Sequence, residues 1–288
     1  MQTQWPLVVF TLFVCLSCGL IGTQSILRLR GKGAQIHFQT LVVAAVALVI
    51  GGLGSFTHLQ HWERIFNGFG HITSGITQEL IGCVFMGIVM VVWFVLWYRK
   101  KEMGKAVAIV SLIVAAGMVF ATAHSYLMPA RPAWTMLIVY YMGNACLMGG
   151  VGLWAVITAA KKDELAATGV KVAFWGGVIG LATTAVYMVS LAIVGVWDFG
   201  YYADPTAMTT APTHVKSLFL EAVAGSGAVF FWISLVCAVL VIVCAWMAKK
   251  DAGKAKVMCI ASTACMLAAC VCMRVMVYSI GYATYLMF

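Results

Sequence analysis

Charge is what this sequence has least of. Of 288 residues only 9% are charged, 63% are hydrophobic, and the mean hydropathy is +1.00. A soluble domain carries about 25% charged residues. So little charge cannot cover a water-facing surface of this size, which excludes a soluble enzyme, a disordered tail and a nucleic-acid-binding domain. Long polar segments are also missing. The longest run outside an apolar stretch is Asp198 to Glu221, too short to fold a soluble cofactor domain. Any molybdenum, haem c or iron–sulfur chemistry must therefore belong to a partner. No positive stretch precedes the first apolar run, which begins after Met1-Gln2-Thr3-Gln4-Trp5. A cleavable signal peptide is not expected. Pro6 suits a first helical turn, where a missing N–H costs little.

What is present is a series of apolar runs of the length that crosses a bilayer core. The spans read as Pro6–Leu27, Thr40–Thr57, Thr77–Tyr98, Ala106–Leu127, Trp134–Ala159, Val172–Trp197, Ala222–Ala248 and Val257–Leu286. The runs are continuous, not alternating, so a β-barrel is excluded. The expected fold is all-α and integral to the membrane, with eight transmembrane helices forming a single transmembrane domain over residues 1–288. Fourteen of the eighteen basic residues follow the first, third, fifth and seventh spans. Excess Lys/Arg marks cytoplasmic loops. Both termini are therefore expected on the outer, periplasmic or extracellular side, in a multi-pass protein of the cytoplasmic membrane. The net charge of +9 is thus a matter of orientation, not of an acidic partner. Gly176-x-x-x-Gly180, and Gly143, Gly149, Gly150 and Gly152 in the fifth span, read as places where helices approach closely.

The ten cysteines all lie in apolar spans, which argues against a disulfide framework. Cys15-x-x-Cys18 sits inside a span and reads as a pair of small apolar residues, so no metal site is expected. Haem ligation would need facing histidine pairs. Of six histidines, only His37 falls on the inner side, in a loop beside Arg and Lys, so an inner haem has no ligand pair. One outer haem between His58 and His124 is a second reading, disfavoured because both lie at span ends.

Ionisable groups inside a membrane are costly and face a cavity or a partner. They are few here: Glu79 at the start of the third span, Arg274 within the eighth, and Glu221 at the start of the seventh. Counted from the outer ends, His58, Glu79, His124 and Arg274 fall at similar depth, with Tyr278 one turn beyond Arg274 on the same face. Each has an ordinary explanation alone: Glu79 can complement a helix dipole, Arg274 can snorkel, and the histidines can be interfacial. A cluster of carboxylate, imidazole and guanidinium on one side of so apolar a chain reads instead as a site that handles protons.

The segment His58-Leu59-Gln60-His61-Trp62-Glu63-Arg64-Ile65-Phe66-Asn67, followed by Thr73-Ser74-Gly75-Ile76-Thr77-Gln78-Glu79, resembles the membrane-anchor subunit of anaerobic dimethyl sulfoxide reductases, the DmsC family. The shared pattern is His-Leu, then Arg-x-Phe-Asn, then a Ser-bearing stretch ending in Glu. The Trp5-Pro6-Leu7 start and Arg274-x-x-x-Tyr278 also match. The resemblance implies an anchor without haem that binds menaquinol near the outer face. It passes electrons to an iron–sulfur subunit, which feeds a molybdenum catalytic subunit. It implies that His58 and Glu79 bind quinol and accept its protons, with Arg64, Arg274, Tyr278 and His124 in support. The partners are expected to dock on the outer loops His58–Gln78, Met128–Ala133 and Asp198–Glu221. Two other readings stay open: a quinone-interacting anchor of the polysulfide/nitrite-reductase type, and a small-molecule transporter. A transporter would need a midplane site at broken helices.

Overall fold

In a computed structural model of the chain, residues 3–57, 61, 64, 67, 69–100, 104–128, 131–194, 197–199, 213–215 and 217–281 are described. The helices are α1 (Trp5–Leu29), α2 (His37–Phe56), α3 (Gly75–Lys100), α4 (Lys105–His124), α5 (Leu137–Ala159), α6 (Ala166–Val194), the short α7 (Leu218–Val223), α8 (Ala228–Lys250) and α9 (Ala255–Ser279). Eight of these, all but α7, are long and apolar enough to cross a membrane. Two three-residue strands, β1 (Trp197–Phe199) and β2 (Thr213–Val215), pair antiparallel with Asp198 opposite His214. They lie between α6 and α7 in the chain.

Most spanning helices are apolar on all sides, because in lipid the outer face needs no polar cover. Val49, Leu53, Ile113 and Ile193 point outward with more than half their surface open, up to 79% for Ile193. The interior is one continuous cluster running through all eight long helices. α1 and α5 are at its centre. α2 and α4 pack on α1, α3 packs on α4, and α6 and α9 pack on α5, with α8 against both α6 and α9.

Apolar helices gain nothing from the hydrophobic effect when they associate in lipid, so close packing must hold them. Glycine supplies it at the centre. A Cβ on Gly19 would run into the carbonyl of Ala145, and one on Gly149 into the carbonyl of Gly19. α5 therefore touches α1 backbone to backbone.

Successive helices reverse direction, which sorts their ends. The start of α1 meets the end of α2 where Gly54 packs on Val9. The start of α3 meets the end of α4 through Glu79 and Ser125. The connection before α5 meets the end of α9 where Arg131 donates to the Gly281 carbonyl at 2.6 Å. We refer to this as the terminal end. The opposite, basic end carries Arg28, Arg30 and Lys32, then Arg99, Lys161, Lys162, Lys171, Lys249 and Lys256.

Several boundaries differ from the apolar runs. The seventh span does not start at Ala222. A short helix ends at Val223, and α8 begins at Ala228. Glu221 serves this break: its carboxylate accepts from the Ser226 backbone N–H at 3.3 Å. α6 begins at Ala166, six residues ahead of the apolar run, because its first turns lie at the polar edge where Lys171 is exposed. α9 ends at Ser279, and the rest of the eighth run, from Tyr282, is outside the described residues. His37 is not in a loop. It opens α2, is buried, and stacks on Trp93 with ring centroids 4.6 Å apart.

Candidate functional site

Glu79 lies in the second turn of α3, half-buried at the terminal end. It is the one acidic side chain within the eight spans that sits more than a turn inside the helix proper, away from the loops. The chain turns out of α4 just opposite. Ser125, the residue that ends α4, places its hydroxyl 2.6 Å from Glu79 Oε1. The same hydroxyl lies 2.8 Å from the Thr122 carbonyl. The approach is tight because Gly75 leaves room for it: a Cβ there would meet the Ser125 Cβ at 2.7 Å.

Behind this pair is a cluster of aromatic hydroxyls. The Tyr126 and Tyr278 hydroxyls are 3.1 Å apart, and both rings are buried. Tyr126 meets Trp134, Tyr141 and Tyr278 edge to face, with centroids 5.4, 6.1 and 6.5 Å away. Tyr126, Tyr141 and Tyr278 are all close enough to Glu79 to interact with it electrostatically. Trp134 is fixed in turn by Arg131, whose guanidinium lies 4.6 Å from the ring centre.

Arg274 forms the floor. It is 1% exposed, one of the largest fully buried side chains. Its Nε donates to Thr11 Oγ1 at 3.0 Å, one terminal nitrogen to the Thr11 carbonyl at 3.1 Å, and the other to the Cys270 carbonyl at 3.0 Å. Its charge faces the Tyr141 ring, 5.1 Å from the centroid. Among the described residues no carboxylate pairs with it. A buried guanidinium needs its N–H groups satisfied, and here backbone carbonyls, a hydroxyl and a π-face do this. Arg274 thus ties α9 to α1 and places a fixed positive charge under the tyrosines.

The residues expected from sequence separate into groups. Glu79 and Tyr278 come together. Arg274 stands one layer deeper and reaches the pair through Tyr141 and Tyr278. His124 is exposed and stacks on Phe120 at 5.8 Å. One step along a helix turns a side chain by about 100°, so its neighbour Ser125 is the one that faces Glu79. Arg64 is exposed, with its backbone N–H donating to the His61 carbonyl at 3.0 Å. His58 lies outside the described residues, as does Glu63. Sequence reading missed Ser125, Tyr126 and Tyr141. The signal for the first two was their place beside His124, at the end of a span already singled out. Among the described residues, no group of three or more His, Cys, Asp or Glu is placed to hold a metal ion.

The family model of the DMSO reductase anchor subunit (DmsC) matches residues 1–280, which include every element of this site. The chain belongs to the DmsC family. It is therefore a multi-pass membrane protein and an anchor subunit of a DMSO reductase-type complex. No curated protein matches this DmsC-family chain. Among solved structures it is similar to a chain from the structure of bd oxidase from Geobacillus thermodenitrificans. The TM-score is 0.65 at 10% identity, over 97% of this chain and 88% of that one. At that identity the likeness concerns the arrangement of helices alone.

Proposed function

We propose that this anchor oxidises a lipid-borne quinol, menaquinol by resemblance to its family, at the terminal end of the bundle, and hands the electrons to an iron–sulfur subunit docked there. That subunit supplies a molybdenum catalytic subunit, which reduces DMSO or a similar acceptor. The observation that carries the reading is Glu79. A half-buried carboxylate held by Ser125 at 2.6 Å, beside buried tyrosine hydroxyls, is a proton acceptor in an otherwise apolar wall. A carboxylate confined in this way has no structural ion pair to serve among the described residues.

Oxidising a quinol to a quinone releases both hydroxyl protons and both electrons. Glu79 accepts a proton from one hydroxyl as the electrons leave. His58, at the end of the preceding span, is the proposed acceptor for the other. Ser125 orients Glu79, and Arg274, behind the paired Tyr126 and Tyr278 hydroxyls, keeps the site electropositive as the quinol loses protons. Arg64 and His124, both exposed at this end, stand where a docked partner or the quinol headgroup would meet them. In this reading the end with few Lys and Arg faces outward from the cytoplasmic membrane, supported by the excess of basic residues at the opposite end. The protons then leave on that side.

The test is Glu79→Gln, which keeps the shape and removes the base. General-base catalysis contributes about 100-fold or more, so quinol-dependent reduction in membranes falls by at least that factor while the partner subunits remain bound. Full activity with partners bound would overturn the assignment.

A further inference from the structure

The basic end holds a cavity, unconnected with the Glu79 cluster. It lies between the α5–α6 hairpin and the α8–α9 hairpin and has a volume of about 1610 Å³. Small-molecule pockets run about 300–1,000 Å³, so this one suits a larger guest. Its mouth is ringed by Lys161, Lys162, Lys171, Lys249 and Lys256, against a single acid, Asp163. Among the described residues none of these lysines has an ion-pair partner. Asp251 beside them is already engaged by Lys254 at 3.1 Å, which holds its carboxyl below the usual carboxylate range. Below the mouth the walls are apolar, built from small and aliphatic residues such as Ala245, Ala264 and Leu267. Trp175 and Trp246 flank it, both about half exposed.

The dimensions fit a lipid. Along α9 the lining runs from Ala255 to Leu267. At 1.5 Å per residue that is about 18 Å, a little over half of the roughly 30 Å hydrocarbon core. A groove one leaflet deep, cationic at the polar boundary and apolar below, matches an acyl chain under an anionic headgroup. Basic pockets between transmembrane helices recognise such headgroups.

Orientation alone accounts for lysines near a helix end, but not for how Lys161 is held. Its φ is +53°, the one left-handed non-glycine residue among those described. It closes α5, with the Lys162 N–H donating to the Ile157 carbonyl at 3.1 Å. Helices end this way with glycine, or sometimes Asn, because a Cβ is strained there. A lysine kept in a glycine conformation at the cavity mouth is local strain retained where a charge is needed.

We propose that this cavity binds a phospholipid with an anionic headgroup, its phosphate among the lysines and its chains along α8 and α9. The intact complex, purified from membranes containing phosphatidylglycerol and phosphatidylethanolamine, is examined by native mass spectrometry. The expected result is retained phosphatidylglycerol. Each cation near an anionic headgroup contributes enough that Lys161→Gln/Lys249→Gln/Lys256→Gln lowers the affinity about a hundredfold. The corresponding Arg variants keep the lipid, and Ala264→Trp, which fills the groove with all lysines present, expels it. Equal retention in the Gln and wild-type complexes overturns the proposal. So does displacement of the lipid by inorganic phosphate alone, or recovery of a quinone in its place.

Discussion

Ser125 has one hydroxyl proton and two acceptors within reach, Glu79 Oε1 at 2.6 Å and the Thr122 carbonyl at 2.8 Å. When the proton points to Glu79, the carboxylate is stabilised as the anion. When it points to Thr122, Glu79 must itself carry a proton and donate to Ser125. The hydroxyl therefore follows the charge on Glu79. A hydrogen bond to a charged group contributes about 1.5–3 kcal/mol, so Ser125→Ala lowers quinol-dependent turnover by about 10- to 100-fold. Ser125→Thr keeps the hydroxyl and restores most of the rate. Turnover measured in membranes at saturating quinol analogue decides it, and an unchanged Ser125→Ala rate removes Ser125 from the mechanism. At this scale the sequence was half legible. Glu79 stood out because a carboxylate in an apolar run is rare. Ser125, Tyr126 and Tyr141 did not, because serine and tyrosine at span ends are common and only three-dimensional contact makes them partners. Arg274 was visible as an intramembrane charge, but its hydrogen bonds to Thr11, on a helix more than two hundred and fifty residues away in sequence, were not.

At the scale of elements, apolar run length locates helices well and their ends poorly. Hydropathy continues through Ala224 to Gly227, yet the helix breaks there because Glu221 and Ser226 supply a turn. α6 extends back beyond its apolar run because the first turns of a helix at the polar edge tolerate Lys171 and Thr168. Glycines in the fifth span did announce close packing, and the α1–α5 contact is built on them. Gly149→Val forces a branched side chain into the Gly19 carbonyl. Overpacking costs about 1–3 kcal/mol or more, and α1 and α5 hold the centre of the bundle. The expected outcome is a lower thermal midpoint for the solubilised complex and less folded anchor in membranes. Gly87→Val, at a position where a Cβ meets nothing within 4 Å, serves as the control and leaves both unchanged.

For the whole molecule, the two ends differ in kind. The terminal end gathers a carboxylate, a buried guanidinium and aromatic hydroxyls. The basic end gathers lysines around an apolar groove. The number of spans and the regular alternation of basic loops were readable from composition, because charge avoids hydrocarbon and each crossing must be about the same length. Which helices neighbour each other was not, because apolar helices carry no pattern that selects a partner in lipid. Sidedness is open to direct measurement. Single cysteines in place of Thr3 and Lys254 are treated in intact cells with a membrane-impermeant maleimide, the native cysteines having been blocked or replaced. The first is expected to react and the second to react only after the membrane is permeabilised. The reverse pattern would turn the protein over and move the proposed quinol chemistry to the other face.

Lys161 carries a consequence for how this family member tolerates change. Its backbone suits glycine, so Lys161→Gly relieves about 1 kcal/mol of conformational strain and raises the thermal midpoint of the detergent-solubilised protein. The same change removes a cation from the cavity mouth and weakens anionic-lipid retention. A substitution scan sorted by folding would therefore rank glycine above lysine at this position, and one sorted by lipid binding would rank them the other way. If both scans rank them alike, lysine has no separate duty there. If they diverge, the site is one where stability and recognition have been traded against each other.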